Sequence, residues 1–259
     1  MTNASNCLLQ TQGLNAWYGA AQILFDVNLQ VGRGEVVALM GRNGAGKSTT
    51  LKAIMGMMPR RSGSISFLGQ DMSTSQPYQA ARQGLGFVPE DRRIFSELTV
   101  LENLSVGRQG PRQFPDGTPA PYWTHEKLFK LFPNLGEMQE RAGGRMSGGE
   151  QQMLTVARTL MGNPLLVLLD EPSEGVAPVI VEQMADMILA LKAEGVSILL
   201  SEQNLHFAQW VSDRAYVLEK GQNPWHRPDI RAAWPACCRF PDPVRPGCPR
   251  RRPPSIRCA

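Results

Sequence analysis

Gly41-Arg42-Asn43-Gly44-Ala45-Gly46-Lys47-Ser48 is the most informative stretch of this sequence. It follows an apolar run at residues 36–40, typical of a buried strand, and leads into a predicted helix at residues 46–58. The spacing G-x-x-x-x-G-K-[ST] between a strand and a helix predicts a loop whose backbone N–H groups surround a phosphate. Lys47 is expected to reach the terminal phosphates, and the Ser48 hydroxyl to bind Mg²⁺. These residues predict nucleotide binding.

Two further apolar runs of strand length lie at residues 165–169 and 196–200. Because they are continuous rather than alternating, they favour strands covered on both faces in a mainly parallel sheet. Between them, residues 178–192 carry apolar side chains at three- and four-residue spacing, which predicts a helix. Strand, helix and strand in succession indicate an α/β layered domain.

The pattern changes between about residues 90 and 160, where strand signals are few. A loop dense in Gly and Pro is followed by predicted helices at residues 125–131 and 149–161, the second ended by Asn163-Pro164. We interpret this region as a mostly helical insertion in the α/β domain.

Two carboxylates, Asp170 and Glu171, directly follow the second apolar run. This places them at the carboxyl edge of the predicted sheet, where open α/β folds bind ligands. Asp170 is expected to hold the water shell of Mg²⁺, and Glu171 to polarise the attacking water. Carboxylates also often simply end buried strands, but beside a phosphate loop they favour a nucleotide hydrolase.

A second anion-binding device is predicted at Ser147-Gly148-Gly149-Glu150, at the start of a helix. Its hydroxyl, bare N–H groups and helix dipole point the same way, although the same residues also form an ordinary helix cap. With two such helix starts, the chain either binds two anions or contributes half of a shared site.

The chain resembles the ATP-binding subunits of ABC transporters over residues 8–222. The resemblance is carried by three motifs in this order: the phosphate loop, SGGEQ at residues 147–151 and LLVLLDEP at residues 165–172. The resemblance implies a P-loop NTPase fold of the ABC ATPase type: a mainly parallel sheet core, an N-terminal antiparallel β part and a helical subdomain. It also implies that two subunits enclose two ATP molecules head to tail, with SGGEQ of one binding the γ-phosphate held by the other.

The same resemblance implies roles for individual residues. Tyr18 matches the aromatic residue that stacks on adenine. Mg²⁺ is expected to be held by Ser48, Glu90 and Asp170, and hydrolysis to involve Glu171 and Gln203. The residues implied to hold ATP are Tyr18, Gly41, Asn43, Gly44, Ala45, Gly46, Lys47, Ser48, Thr49, Ser147, Gly148, Gly149 and Glu150.

Two departures narrow the resemblance. Glu90 stands where most members have Gln, and Gln203 where most have the switch His. With YGAAQIL at residues 18–24 and DEPSEGVAP at residues 170–178, they are similar to the F-type ATP-binding subunit of branched-chain amino acid importers. Urea and short-chain amide importers are close cousins. Because Gln203 cannot titrate near neutral pH, we expect Glu171 to be the base and Gln203 only to orient water or phosphate.

Val176 is a third departure, in the segment that crosses to the other subunit in the family. Most members carry Asp there, so Val176 leaves open whether the two ATP sites communicate through that segment.

The implied partners are a second ATP-binding subunit, either a sister or the chain itself, two membrane permease subunits and, indirectly, a solute-binding protein. We expect the contact with the membrane subunits in the helical insertion, especially in the stretch after Glu90 that runs through Phe95 to Leu104. No run of eighteen apolar residues and no secretory signal occur in the sequence, so the chain itself is not expected to cross a bilayer and the cytoplasm is its default compartment. The resemblance implies a peripheral protein on the cytoplasmic face of the inner (plasma) membrane.

The net charge of +4 conceals two different populations of residues. Residues 223–259 hold 8 Arg, no Lys and 2 Asp, a charge of +6, which leaves −2 for residues 1–222. The basic charge therefore gives no support for a nucleic-acid partner of the body.

Four explanations compete for residues 223–259, which also hold 9 of the 20 Pro and 4 of the 5 Cys. A metal site lacks a C-x-x-C pair, and a disulfide cluster conflicts with a cytoplasmic location. An Arg/Pro-rich arm for anionic lipid or nucleic acid has compositional support. We favour a shifted reading frame, with disorder as the expected result, because the recognisable sequence ends abruptly at residue 222.

The predicted function is that of an ATPase coupling ATP binding and hydrolysis to uptake of branched-chain amino acids through membrane subunits, with the same role in a urea or short-chain amide importer as an alternative. Two other classes compete with it. One is a soluble ABC-type ATPase acting on nucleic acid or ribosomes, and the other is a non-hydrolysing regulatory module, which the intact Glu171 argues against.

Overall fold

The apolar runs form the middle of a six-stranded sheet in the computed structural model, which describes residues 7–227. The strands are β1 (Cys7–Tyr18), β2 (Ala21–Gly32), β3 (Val36–Met40), β4 (Arg60–Phe67), β5 (Gln70–Asp71), β6 (Leu85–Val88), β7 (Leu166–Asp170), β8 (Ser197–Glu202), β9 (Arg214–Glu219) and β10 (Gln222–Arg227). The helices are α1 (Lys47–Ile54), α2 (Pro77–Gln83), α3 (Val100–Gly107), α4 (His125–Leu131), α5 (Pro133–Glu137), α6 (Gly148–Leu160), α7 (Pro178–Ala193) and α8 (Leu205–Val211), with a 3-10 helix at Gly143–Arg145.

The six-stranded sheet has the order β10-β9-β3-β8-β7-β6. All its neighbours are parallel except β10, which runs antiparallel to β9. Every side chain of β3, β7 and β8 is buried, which is why these strands are continuous apolar runs in the sequence. The predicted parallel core is confirmed.

The two faces of this sheet belong to two apolar cores. Along β3, Val36, Ala38 and Met40 pack on the side of α3 to α8, while Val37 and Leu39 pack on the side of α1 and the N-terminal strands. Because successive side chains of a strand point to opposite faces, β3 contributes to both cores. Packing on both faces holds the carboxyl end of β3 in place.

The N-terminal antiparallel β part is a four-stranded sheet of order β2-β1-β4-β5. Its strands pair antiparallel throughout. The predicted antiparallel part is therefore confirmed, and α1 packs between it and the parallel sheet.

The helical insertion contains α3, α4, α5, the 3-10 helix and α6, and α3 packs against α6. Buried Asn163, at φ +50°, fixes the Gly/Pro-rich loop in front of α4. Its side chain accepts a hydrogen bond from the backbone N–H of Trp123 (2.7 Å) and donates to the carbonyls of Gln109 (2.8 Å) and Gly110 (3.2 Å). The sequence analysis did not predict α2.

The last described strand crosses the predicted domain boundary at residue 222. Residues 223–227 continue β10 beside β9, so the sheet extends into the Pro- and Arg-rich segment. The remainder of that segment, including its four cysteines, lies outside the described residues, as do residues 1–6. Within residues 7–227 no helix has the length and apolar character needed to cross a bilayer.

Candidate functional site

The phosphate loop connects β3 to α1, as predicted, and glycines set its path. Gly44 and Gly46 have φ of +78° and +103°, which side chains rarely adopt. A Cβ at Gly46 would lie 2.8 Å from Leu24 Cδ2, and one at Gly41 would lie 2.6 Å from the Leu218 carbonyl oxygen. The loop is therefore packed closely against neighbouring strands, and the backbone itself faces any ligand.

Lys47 begins α1, and its side chain folds back over the loop. Its ammonium donates to the carbonyls of Gly41 (2.9 Å) and Arg42 (3.2 Å) and lies 2.9 Å from Glu171 Oε1. The Lys47 and Glu171 side chains are only 2% and 7% exposed. The phosphate loop and the acidic end of β7 thus meet in one buried ion pair.

Asp170 joins the same two elements through a second contact. Its Oδ1 accepts hydrogen bonds from Ser48 Oγ (2.8 Å) and from Ser201 Oγ (2.7 Å). Carboxylate and hydroxyl oxygens are hard ligands of the kind that Mg²⁺ prefers, and Mg²⁺ is commonly held by one or two carboxylates together with substrate phosphates. The donor set at Ser48 and Asp170 fits that ion.

Glu171 has a left-handed backbone, with φ +46°. Its N–H donates to the Ser201 carbonyl (3.2 Å) and hydroxyl (3.1 Å), which anchor it to β8. Burial raises the pKa of Glu171, but hydrogen bonds from Glu174 and Lys47 and the Lys47 charge outweigh it and leave that pKa lowered. Glu171 is therefore ionised near neutral pH, the form required of a general base.

Gln203 and Glu90 both interact with Glu174, which lies three residues after Glu171. Gln203 Nε2 donates to Glu174 Oε2 at 3.1 Å. The charge of Glu90, which follows β6 in an exposed position, helps to raise the pKa of Glu174. The structure thus gathers the phosphate loop, Asp170, Glu171, Glu90 and Gln203 at one edge of the parallel sheet.

The Ser147–Glu150 segment shares none of the side-chain hydrogen bonds described above for the phosphate loop and the end of β7. Ser147 caps α6: its hydroxyl accepts from the Glu150 N–H (3.4 Å), and the Glu150 carboxylate accepts from the Ser147 N–H (2.7 Å). The side-chain hydrogen bonds of these two residues within the described chain join them only to each other. Gly148 lies against Arg92, since a Cβ there would be 2.6 Å from the Arg92 NH1 atom.

Tyr18, which the resemblance implies as the adenine-stacking residue, lies outside the phosphate loop. It is the last residue of β1 and is 50% exposed. An exposed ring at this place is open to stacking by a flat ligand.

Three residues of the site were missed in the sequence: Glu174, Ser201 and Glu202. Glu202 is 1% exposed, and its carboxylate accepts the N–H groups of Ser173, Gln203 and Asn204, each at 3.1 Å. Burial raises its pKa. A signal for Ser201 and Glu202 was present, because polar residues end the apolar run at 196–200, just as Asp170 ends the run before it.

Comparison with known proteins agrees with this architecture. The family described as ABC transporter matches residues 24–174. The chain is 44% identical over 219 residues to the high-affinity branched-chain amino acid transport ATP-binding protein BraG of Pseudomonas aeruginosa, covering 85% of this chain and 92% of that protein. It is 32% identical to the lipopolysaccharide export system ATP-binding protein LptB of Haemophilus influenzae, covering 83% and 88%.

Solved structures give the same result at the level of the fold. A nucleotide-free ATP-binding cassette from an ABC transporter superposes with a TM-score of 0.71 at 29% identity, covering 86% of this chain and 92% of that one. Because a family pattern covers more than half of the chain and the curated relatives align along most of their length, the chain belongs to the ABC transporter family, as an ATP-hydrolysing cassette of that family.

Proposed function

We propose that this protein is the ATP-hydrolysing subunit of an importer for branched-chain amino acids. The observation that carries the hydrolytic part is the meeting of the phosphate loop with the acidic end of β7, through Lys47–Glu171 at 2.9 Å and Ser48–Asp170 at 2.8 Å. The amino-acid part is supported by the 44% identity to BraG. Glu90 and Gln203, the two departures noted in the sequence, favour the same subfamily.

ATP is the substrate of the proposed reaction. The backbone N–H groups of residues 41–46, the start of α1 and Lys47 would hold its phosphates, and Ser48 and Thr49 belong to the same turn. Exposed Tyr18 would stack on the adenine. Ser48, Asp170 and Glu90 would hold Mg²⁺. When bound, that ion neutralises charge on the phosphates.

The proposed base is Glu171. It takes a proton from water while the water oxygen bonds to the γ-phosphorus and the bond from that phosphorus to the leaving ADP oxygen breaks. The lowered pKa of Glu171 keeps it in the form that accepts this proton. Gln203, as a neutral amide, orients water or phosphate and transfers no proton.

Two subunits are needed to complete each ATP site in this proposal. Ser147, Gly148, Gly149 and Glu150 stand at the start of the thirteen-residue helix α6, separate from the gathered residues. They would bind the γ-phosphate held by the phosphate loop of a second ATP-binding subunit. This explains why one chain has two phosphate-seeking helix starts.

The subunit would sit on the cytoplasmic face of the inner (plasma) membrane, bound to two permease subunits and served indirectly by a solute-binding protein. Phe95, which is 47% exposed, marks the surface before α3 that we propose for the permease contact. For residues 223–259 we propose a shifted reading frame, which sequencing the gene around codon 222 tests directly.

Transport is tested in proteoliposomes that contain the permease subunits, the sister ATP-binding subunit and this chain, with ATP supplied to the side bearing the ATP-binding subunits. With the solute-binding protein present, we expect leucine uptake that stops in the Glu171→Gln variant. Uptake of urea or a short-chain amide instead of leucine would transfer the protein to the related importers. Failure to copurify with any permease, together with intact ATP hydrolysis, would make it a soluble ATPase.

A further inference from the structure

A two-residue turn joins β9 to β10 and lies against the phosphate loop. Lys220 and Gly221 form it, with φ of +48° and +79°, the pair of positive angles that a tight hairpin turn of this kind requires. The Gly221 N–H donates to the Ala45 carbonyl of the phosphate loop at 2.9 Å. The Gly221 carbonyl accepts from the Phe25 N–H of β2 at 2.8 Å. One buried residue thus bonds to the phosphate loop on one side and to the N-terminal sheet on the other.

The close approach of β2 leaves room only for a glycine in this turn. A Cβ on Gly221 would lie 1.9 Å from the Ile23 carbonyl oxygen and 3.0 Å from Phe25 Cδ2. The carbonyl oxygen belongs to the backbone of β2, so it cannot turn away as a flexible side chain can. Any side chain at this position would therefore push the turn off β2 and draw its N–H away from Ala45.

The hydrogen bond to Ala45 controls the direction of a donor in the phosphate loop. The Ala45 carbonyl and the Gly46 N–H belong to the same planar trans peptide, so the two groups point to opposite sides. Because Gly221 holds the carbonyl, the Gly46 N–H is directed away from the turn. Within residues 7–227 no backbone carbonyl or side chain accepts a hydrogen bond from that N–H, although Gly46 is buried. A phosphate oxygen would supply the missing acceptor.

Leu218 supports the same loop with its side chain. It lies at the end of β9 and is 1% exposed. Its Cδ2 would be 3.3 Å from a Cβ on Gly46, and its carbonyl oxygen lies against Gly41 at the start of the loop. Because β9 pairs in parallel with β3, it ends at the edge of the sheet where the phosphate loop begins. The end of β9 and the turn after it therefore form an outer wall for the loop.

We propose that Gly221 is a positioning residue for ATP, which holds the phosphate loop in its binding shape from outside the loop. By fixing the Ala45 carbonyl, it aims the Gly46 N–H at the phosphates before ATP arrives, so less of the loop has to be ordered on binding. β2 pairs with β1, the strand that ends at Tyr18, so Gly221 also ties the phosphate loop to the sheet that carries the proposed adenine-stacking ring. This inference rests on the proposed binding of ATP phosphates by the loop.

Gly221→Ala in the full chain tests this role. We expect the Kd for a fluorescent ATP analogue to rise about 3- to 10-fold, as for the loss of one hydrogen bond, and KM for Mg-ATP to rise with it. The kcat at saturating ATP should stay within about twofold, because a loop that holds substrate and transition state alike affects binding and not the chemical step. Amide hydrogen exchange in residues 41–48 should become faster, since the loop has lost its outer support.

The matched control is Gly195→Ala. Gly195 has φ +85°, so alanine is strained there too, but a Cβ would meet nothing within 4 Å. It lies between α7 and β8, at the opposite edge of the parallel sheet from the phosphate loop. This variant is expected to leave Kd, KM and exchange in residues 41–48 unchanged. Equal Kd in Gly221→Ala and the unchanged protein would overturn the inference, and so would a loss of kcat at unaltered Kd.

If Gly221→Ala does not fold, Leu218→Val supplies a milder case, because it keeps the turn but shortens the side chain that packs on Gly46. We expect about a twofold rise in Kd, and none in Leu166→Val, which shortens a side chain in the same apolar core at the far end of β7. Equal Kd in these two variants would overturn the inference.

The two levels of proposal fail in different ways. If the unchanged protein does not bind the ATP analogue, the proposed ATP site itself is rejected. If the unchanged protein binds it, and Gly221→Ala and Leu218→Val bind it equally well, only the positioning role is rejected.

Discussion

The Lys47 ammonium and Glu171 Oε1 lie 2.9 Å apart, and both side chains are almost completely buried. A residue proposed to bind phosphate and the residue proposed to activate water therefore neutralise each other in this state of the subunit. Phosphate oxygens and Glu171 must compete for the same ammonium, so substrate binding and the freedom of the base are coupled by charge alone.

Replacing Glu171 with Gln is expected to separate binding from chemistry. Loss of the base should slow hydrolysis by roughly 100-fold or more, the range for general base catalysis. Nucleotide affinity should stay equal or rise, because Lys47 loses its competing carboxylate. Phosphate release under single-turnover conditions and binding of a fluorescent ATP analogue check the two halves, and weaker binding together with slow hydrolysis would contradict the coupling.

Removing Lys47 is expected to destabilise the protein through Glu171. The Lys47→Met variant leaves a buried carboxylate without its cation, which costs about 3 kcal/mol in unfolding free energy. Adding Glu171→Gln to Lys47→Met should restore part of that loss, because an amide carries no charge to bury. Chemical denaturation of the single and double variants measures this, and a double variant less stable than Lys47→Met would refute it.

The rate of ATP hydrolysis is expected to fall as pH rises through about 7, the raised pKa of Glu174. A carboxyl with a raised pKa keeps its proton, and here its hydrogen bond to Glu171, below that pH and loses both above it. Glu171 stays ionised throughout because its own pKa is lowered. The profile of kcat over this range should flatten in Glu174→Gln. Superimposable profiles for Glu174→Gln and the unchanged protein would show that the pH dependence does not come from Glu174.

Glu202→Gln is expected to loosen the loops on both sides of the site. Both carboxylate oxygens of Glu202 accept backbone N–H groups, from Ser173 on one side and from Gln203 and Asn204 on the other. The amide NH₂ would face one of these donors in either orientation, costing about 1–3 kcal/mol. Thermal unfolding measures the effect, with exposed Glu219→Gln as the control, and equal stability of the two variants would disprove it.

Asn163→Ala is expected to destabilise the helical insertion by about 2 kcal/mol or more, because the buried N–H of Trp123 loses its acceptor and alanine is strained at φ +50°. Asn163→Gly loses the same side chain but tolerates the backbone. It should therefore be less destabilised than Asn163→Ala. Denaturant titrations compare the two, and a larger loss in Asn163→Gly would argue against the backbone contribution.

Much of the fold was present in local patterns. The strand at 36–40 and the helix at 125–131 were predicted with the observed bounds, since every side chain of that strand is both buried and apolar and a surface helix repeats every three to four residues. The short helix α2 was missed because its seven residues carry one buried side chain, too few for a periodic signal.

The site divides in the same way. The phosphate loop, Asp170 with Glu171, and Ser147–Glu150 are contiguous motifs, so the residues themselves pointed to them, and the resemblance supplied Glu90 and Gln203. Glu174 lies within the stretch DEPSEGVAP that carries part of the resemblance but was given no role there, and Ser201 belongs to no motif. Their importance depends on which atoms the turn after β7 and the neighbouring strand bring close.

By itself, the sequence determined the family, the phosphate loop that predicts a nucleotide substrate, and the separation of a slightly acidic body from a basic segment after residue 222. The tertiary structure decided which carboxylate of the site is paired with a cation. That outcome depends on the position of a single ammonium, Lys47, within hydrogen-bond distance of Glu171. Electrostatic energy depends on distance in space, and residues 47, 171, 174 and 203 become neighbours only when the parallel strands align their carboxyl ends.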